Sequence, residues 1–172
     1  MNTFKKLFLG CLILVTVAAC KKDKDGGTGG STEGVVTAKI GGTSWTSIKM
    51  STSAQYVALG KSLTMLGADA SGKTINIIIN NYDGSTGTWS IPNSVGSIGV
   101  IASYMEINLG GTNKTYAAPY SGSGVIGEVK ISEFSKTGNV AGTFKFKARN
   151  QADNADFKDI TEGSFNIKVN SF

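Results

Sequence analysis

The side chains that could do chemistry are few, and their types exclude several classes of site. The sequence has no histidine and two cysteines, Cys11 and Cys20. Both cysteines lie within the first twenty residues, so the rest of the chain carries neither an imidazole nor a thiol. A Ser-His-Asp triad, a thiolate nucleophile and a zinc site with nitrogen and sulfur ligands are therefore excluded there. We expect no catalytic residue and no enzymatic activity.

Carboxylates are the remaining groups with catalytic potential. Glu106, Glu128 and Glu133 lie in strand-like runs, and a glycosidase needs two carboxyl groups about 5 to 9 Å apart. Glu128 falls on the polar face of its run, where a carboxylate normally serves solubility. A glycosidase pair is therefore formally possible but disfavoured.

An oxygen-rich loop is predicted from Asn150 to Asp159. Its aspartate and asparagine side chains offer the oxygen ligands that calcium prefers; the candidates are Asp153, Asn154, Asp156 and Asp159. The spacing lacks the glycine and the final glutamate of a known calcium loop, and Lys158 adds a positive charge. A solvated hairpin loop is the favoured interpretation, calcium is a weak alternative, and we assign no metal.

Aromatic side chains are the candidates for ligand contact. Trp45, Trp89, Tyr116 and Tyr120 could offer flat surfaces to a carbohydrate or to a small apolar ligand. Trp89 lies in a strand-like run, which favours a place in the core. Tyr116 and Tyr120 flank Ala117-Ala118-Pro119 in a loop-like stretch, where a binding role and a packing role are about equally expected.

Cys20 follows a segment organised like a signal peptide. Lys5-Lys6 is positively charged, and the run from Leu7 to Val17 is apolar but shorter than the ~20 residues that a helix needs to cross a bilayer. Val17-Ala18-Ala19-Cys20 resembles the lipobox of bacterial lipoproteins. That resemblance implies cleavage before Cys20 and a covalent lipid on its thiol. We expect no other cofactor.

The sequence divides into three parts. Residues 1–19 are the signal peptide, residues 20–34 are the lipidated cysteine with a glycine-rich tether that is expected to be disordered, and residues 35–172 are the folded domain. Removal of Lys5 and Lys6 lowers the formal charge from +5 to +3. Arg149 is the single arginine of the sequence, whereas nucleic-acid readers depend on arginine. We therefore expect no nucleic-acid partner.

The domain is predicted to be all-β. Short β-type runs are separated by Gly, Asn, Asp and Ser, and no 3.6-residue period is present. The run from Lys73 to Asn80 alternates, with Ile75, Ile77 and Ile79 on one face. In the less regular run from 98 to 109, Met105, Ile107 and Leu109 share a face.

The last third predicts an antiparallel meander with one buried face and one wet face. Its strands are Gly124–Phe134, Asn139–Arg149 and Ile160–Asn170, and the first places Val125, Val129 and Ile131 on one face. Strands of about eleven residues twist and curl, which predicts a closed or partly closed barrel or a β-sandwich. Bulges or bends are expected at Gly127 and Gly142.

Four segments carry a resemblance to a known family: Ala38–Trp45, Gly87-Thr88-Trp89, Gly142–Ala148 and Ile160–Phe165. In this order they resemble uncharacterised small outer-membrane lipoproteins of Bacteroidota-type bacteria. The resemblance implies one antiparallel β-domain of lipocalin-like barrel or sandwich type, attached at the outer membrane. The charged residues after Cys20 are similar to the signal that sends such lipoproteins to the cell surface. The surface and the periplasmic face both stay open.

Two functions from different classes follow from these patterns. The first is a lipid-anchored, monomeric binding or interaction module, whose ligand is a small apolar molecule, a carbohydrate or an envelope protein. The alternative is a structural accessory subunit of a larger outer-membrane complex. A pocket would favour the ligand, whereas a flat exposed apolar patch would favour the protein partner.

Overall fold

The computed structural model describes residues 32–92, 99–122 and 124–172. The predicted signal peptide, Cys20 and most of the tether lie outside the described residues. Within those ranges the chain is built of strands and one 3-10 turn, Lys49–Ser51. No helix in them is long and apolar enough to cross a membrane. The all-β prediction is confirmed.

Eleven strands are present in the described ranges. In chain order they are β1 (Val35–Ile40), β2 (Thr43–Thr46), β3 (Thr52–Val57), β4 (Ser62–Ala68), β5 (Thr74–Asn80), β6 (Gly87–Pro92), β7 (Val100–Glu106), β8 (Lys114–Ala118), β9 (Val125–Phe134), β10 (Asn139–Asn150) and β11 (Phe157–Ser171). All eleven belong to one hydrogen-bonded sheet. The predicted meander is confirmed as β9, β10 and β11.

Seven of the described strands form a ring. β3, β4, β5, β7, β8, β10 and β11 pair in that order, and each is antiparallel to the one before it. Seven alternating strands bring the first and the last into the same direction, so the closing pair β3–β11 is parallel. This pair departs from the predicted antiparallel arrangement. The closure favours the partly closed barrel over the sandwich.

The other four strands extend two edges of the ring. β1 pairs with β11 and carries β2, while β9 pairs with β10 and carries β6. This arrangement depends on the length of β10 and β11, because each pairs with two strands along one edge. β11 pairs with β1 along Ile160–Asn166 and with β3 along Val169–Ser171.

The ring interior is filled by the inward-facing side chains of the strands. Ile75, Ile77 and Ile79 are buried as their alternation predicts. At one end Tyr82 packs edge-on against Phe134 and Trp89, with ring centroids 5.1 and 5.3 Å apart. Apolar burial stabilises such a chain by about 25 cal/mol per Å², and no disulfide contributes within the described residues.

β11 contains a bulge at Glu162. Phe144 of β10 pairs with Gly163, and Phe146 pairs with Ile160, so the single residue between them on β10 faces two residues on β11. One of these two, Glu162, has a left-handed φ of 50°. The same residue is the extra one against β1. A side chain at Gly163 would place its Cβ 2.5 Å from the Phe144 ring. The bulge therefore requires glycine beside it.

The two bulges predicted at strand glycines are confirmed. The register shifts beside Gly142 in the β9–β10 pair and beside Gly127 in the β6–β9 pair. The second shift leaves Ile126 as an extra residue on β9, so the residue before it faces the opposite side of the sheet from the one that strict alternation predicts. Val125 is consequently 67% exposed, whereas Val129 is buried, so the predicted place of Val125 on the same face is wrong.

In and just after β7 the buried face is not the one that carries the large apolar residues Met105 and Ile107. Val100, Ala102 and Tyr104 are buried, whereas Met105 and Ile107 are partly exposed. Leu109 lies beyond the end of β7 and is almost fully exposed. The apolar side chains that share a face in the sequence are therefore on the outer side.

Substitution of Gly142 tests the close approach at the bulge. A Cβ at Gly142 would overlap the Lys130 carbonyl oxygen and the Phe165 ring, so Gly142→Ala is expected to lower the free energy of unfolding by about 2 kcal/mol or more. Gly99→Ala is the matched control, because nothing lies within 4 Å of a Cβ there. Urea unfolding measures both variants. Equal stability of the two would contradict the register described.

Candidate ligand-binding site

One end of the ring closes through a short seam between β8 and β10. Two pairs of residues make it, Ala117 with Arg149 and Tyr116 with Asn150. The Gln151 amide extends the seam by donating to the Thr115 carbonyl at 2.9 Å. So few backbone hydrogen bonds leave the seam dependent on side chains.

The carboxylate of Asp156 supplies the side-chain contacts. Its Oδ2 accepts hydrogen bonds from the Tyr116 hydroxyl at 2.9 Å, from Asn150 Nδ2 at 2.9 Å and from Lys114 Nζ at 3.2 Å. Lys114 and Tyr116 belong to β8, whereas Asn150 ends β10. One oxygen atom in the β10–β11 loop therefore clamps both strands of the seam.

The protonation states of this clamp strengthen it at neutral pH. Hydrogen bonds from Asn150, Tyr116 and Lys114 lower the pKa of Asp156 to about 2. Burial, followed by the bond to Asp156, raises the pKa of Tyr116 to about 12. A protonated hydroxyl thus donates to an ionised carboxylate, and charge-assisted bonds of this kind are roughly twice as strong as neutral ones.

A cleft of about 280 Å³ opens beside the seam. Its lining combines one aromatic ring, one guanidinium and several amides, from Ala117, Pro119, Tyr120, Arg149, Asn150, Gln151 and Asn154. Tyr120 is half-buried, and its ring packs edge-on against Phe157 at 5.6 Å. The Arg149 guanidinium carbon lies 5.1 Å from the centroid of the same ring. These contacts fix the ring at the cleft.

Arg149 has no carboxylate partner among the described residues. The ion pairs in those ranges join Lys39 to Glu162, Lys114 to Asp156, Lys145 to Glu128 and Lys158 to Glu106. The guanidinium has five N–H donors in a fixed fork, which suits a planar anion or a pair of hydroxyl oxygens. The cleft therefore holds an uncompensated cation beside an aromatic ring.

A second groove of about 420 Å³ lies between β9, β10 and β11. Val125, Phe146 and Ile160 contribute apolar surface to it. Two of its four charged side chains form an ion pair, since Lys145 Nζ is 3.0 Å from Glu128 Oε1. The other two, Lys147 and Asp159, have opposite charges and face each other across β10 and β11. The smaller cleft is the better candidate because no acidic side chain that the structure describes lines it to balance its cation.

The structure places the four aromatic candidates differently. Trp45 is 6% exposed, because it faces Ala38 on the core side of β1, and its Nε1 has no hydrogen-bond partner in the described part of the chain. Trp89 is half-buried and packs on the core. The Tyr116 ring is fully buried, so its hydroxyl alone takes part in the clamp. Tyr120 lines the cleft.

The oxygen-rich loop is shorter than predicted, since β10 continues to Asn150 and β11 begins at Phe157. Asp153 Oδ1 accepts a turn bond from the Ala155 amide, and Asp159 faces Lys147 on β10. Among the described residues no three acidic side chains are close enough to hold a metal ion. The structure instead uses Asp156 for the clamp.

Sequence reasoning missed Arg149, Asn150 and Gln151 as cleft residues. Arg149 is not among the candidate residues that the sequence singles out, and the two amides are predicted in a solvated loop. One signal was present, because a single arginine next to a cluster of amides is an unusual arrangement for a surface that only needs to be soluble.

A comparison with protein families gives one match. A family model described as Domain of unknown function (DUF6252) matches residues 32–168. The chain belongs to this family. The match spans from the residues before β1 to within β11, so it includes the clamp and the cleft and ends one residue before the Val169–Ser171 pairs that close the ring on β3. Membership confirms the resemblance to an uncharacterised family. No curated protein and no solved structure matches the chain.

The clamp predicts a specific acid dependence of stability. The pKa of Asp156 is about 2 in the folded protein and ~3.9 for an unperturbed aspartate, so its ionised form favours folding. That stability is present above pH ~4 and is lost as the pH falls toward 2. Asp156→Asn should therefore be less stable than the wild type at pH 7, and the difference should shrink between pH 4 and 2.

Urea midpoints measured across that pH range test this dependence. Asp153→Asn is the control, because its carboxylate accepts a local bond that an asparagine oxygen also accepts. A stability difference between Asp156→Asn and the wild type that stays constant with pH would contradict the clamp.

Proposed function

We propose that this protein is a lipid-anchored cell-envelope module that binds a saccharide in the cleft at the β8–β10 seam. The observation that carries the proposal is the fixed Tyr120 ring beside the unpaired Arg149 guanidinium. Neighbouring amides supply donors and acceptors. Function of this kind needs no catalytic group, in keeping with the expectation that the protein is not an enzyme.

The chemistry of the cleft favours a sugar over an apolar molecule. An aromatic ring packs against the C–H face of a pyranose, and amide and guanidinium groups hydrogen-bond with hydroxyls. At about 280 Å³ the cleft is just below the ~300–1,000 Å³ that is usual for ligand pockets. It accommodates one sugar ring, such as the end of a glycan chain. Its guanidinium favours a sugar that bears a carboxylate.

The anchor is supported by the leader and by Cys20. A short apolar run after two lysines, with small residues before a cysteine, has the composition of a lipoprotein signal. The resemblance to Bacteroidota-type lipoproteins supports attachment at the outer membrane, on the surface or on the periplasmic face. An anchored monomer with an outward cleft could hold a glycan near the envelope.

A second candidate function is an accessory subunit of an envelope complex. The observation that favours it is the outer face of β7, where Ile101, Met105 and the nearby Ile107 are each more than a third exposed. Such an apolar surface suits a protein partner. This surface has fewer groups than the cleft to fix the orientation of a partner, since Ser103 is the one polar side chain between Ile101 and Met105 on that face of β7.

Saccharide binding is tested on an array of neutral and uronic-acid-terminated oligosaccharides. Tyr120→Ala removes the ring and is expected to weaken binding of the acidic glycans about tenfold, the equivalent of ~1.4 kcal/mol. Arg149→Lys retains the positive charge but loses the paired N–H donors of the guanidinium, so the preference for acidic over neutral sugars should fall. Lys168→Ala is the control, because Lys168 is an exposed residue near the other end of β11. Binding that is unaffected by both cleft variants would refute the site.

Lipid attachment is tested in the native host by intact mass and by fractionation. The wild type should begin at Cys20, carry acyl chains and sediment with membranes. Cys20→Ser should lose the acyl mass and the membrane association, because the thiol is the attachment point. Cys11→Ser is the matched control and should behave as the wild type. An unmodified Cys20 in the soluble fraction would contradict the anchor.

A further inference from the structure

Two large apolar side chains project together from the end of the ring opposite the cleft. Leu59, in the turn between β3 and β4, is fully exposed, and Phe172 is 74% exposed. Backbone bonds hold the two segments together, since the Ala58 amide donates to the Phe172 carbonyl at 3.1 Å and the Phe172 amide donates to the Tyr56 carbonyl at 2.9 Å, so Phe172 lies at the end of β3 that leads to Leu59. We call Leu59 and Phe172 the apolar tip.

The point at which the chain enters the domain can be located by its position along β11. Asn139 Nδ2 donates a hydrogen bond to Glu33 Oε1 at 3.4 Å, and Asn139 pairs with Lys168 of β11. Phe172 is four residues further along, or about 13 Å at ~3.3 Å per residue. Phe157, which packs on the cleft tyrosine, is eleven residues away in the other direction, or roughly 35 Å. The entry point is therefore near the apolar tip and far from the cleft.

The lipid anchor can bring that end to a membrane. Eleven residues lie between Cys20 and Thr32, the first described residue, and a fully extended chain of this length reaches at most about 40 Å. Lys61 and Lys136 lie in turns at the same end and are exposed. Asp83 lies in a neighbouring turn, so the net attraction to anionic headgroups is small. The two apolar side chains carry the contact.

We propose that the apolar tip rests in the headgroup region of the membrane that holds the anchor. The proposal rests on the lipidation of Cys20. Leu59 and Phe172 insert into the interface, and the cleft consequently faces away from the bilayer, toward soluble or cell-wall glycans. One acyl-anchored cysteine tethers the domain, and the tip orients it, as a second weak membrane signal does for other anchored proteins.

The test uses the full lipidated protein in phosphatidylethanolamine–phosphatidylglycerol vesicles. Leu59→Cys is labelled with the polarity-sensitive fluorophore NBD; acylated Cys20 does not react. Leu109→Cys is the matched control, an equally exposed leucine in the loop that leads to Lys114 at the cleft end. At position 59 the emission should shift to the blue and lose intensity when brominated lipids are included. At position 109 neither change should occur.

Each other outcome overturns a defined part of the proposal. If Cys20 is acylated and the vesicles carry the protein, but position 59 is not quenched more than position 109, the docking is wrong and the anchor stands. A blue shift at position 59 without bromine quenching indicates contact with protein and also overturns the lipid assignment. Intact mass without acyl chains and failure to float with vesicles overturn both the anchor and the docking.

Discussion

The hydrogen bonds to the Asp156 carboxylate are the interaction on which closure of the ring between β8 and β10 depends. The ring of described strands closes through two short seams, with two residue pairs between β8 and β10 and three between β3 and β11. The first seam leaves few backbone bonds to resist separation. Asp156 Oδ2 compensates by accepting three hydrogen bonds from the two strands. Because Arg149 and Asn150 belong to this seam, the clamp also shapes the cleft.

The second constraint is the length of β10 and β11. Each continues beyond one neighbour to pair with another, and this joins the flanking strands to the ring. Long strands accumulate twist, and the bulges at Glu162 and beside Gly127 and Gly142 bend them further. The interior is filled by the core, and the cleft lies at the seam on the rim.

Local patterns in the sequence were sufficient for much of the fold. The alternation of Ile75, Ile77 and Ile79 placed them in the core, and strand glycines located two of the bulges. The parallel closing pair was not predictable, because it follows from the number of strands in the ring and leaves no local mark. Val125 was misplaced since one extra residue reverses the face of every residue before it.

The candidate site was less accessible to sequence reasoning. Of four aromatic candidates, Tyr120 reached the cleft, whereas Trp45 and the Tyr116 ring are buried. Sequence spacing cannot distinguish them, because burial at a seam depends on strands that are distant along the chain. Asp156 was identified for its oxygen atoms, but its partners, Lys114 and Tyr116, lie about forty residues away.

Native-state hydrogen exchange in Asp156→Ala tests the clamp most directly. Loss of the carboxylate should speed exchange of the Gln151 amide and of the amides of β8, because the two-pair seam then opens more often. The β9–β10 ladder, with its longer register, should exchange as in the wild type. Unchanged exchange at the seam, or an equal increase throughout the sheet, would contradict the account.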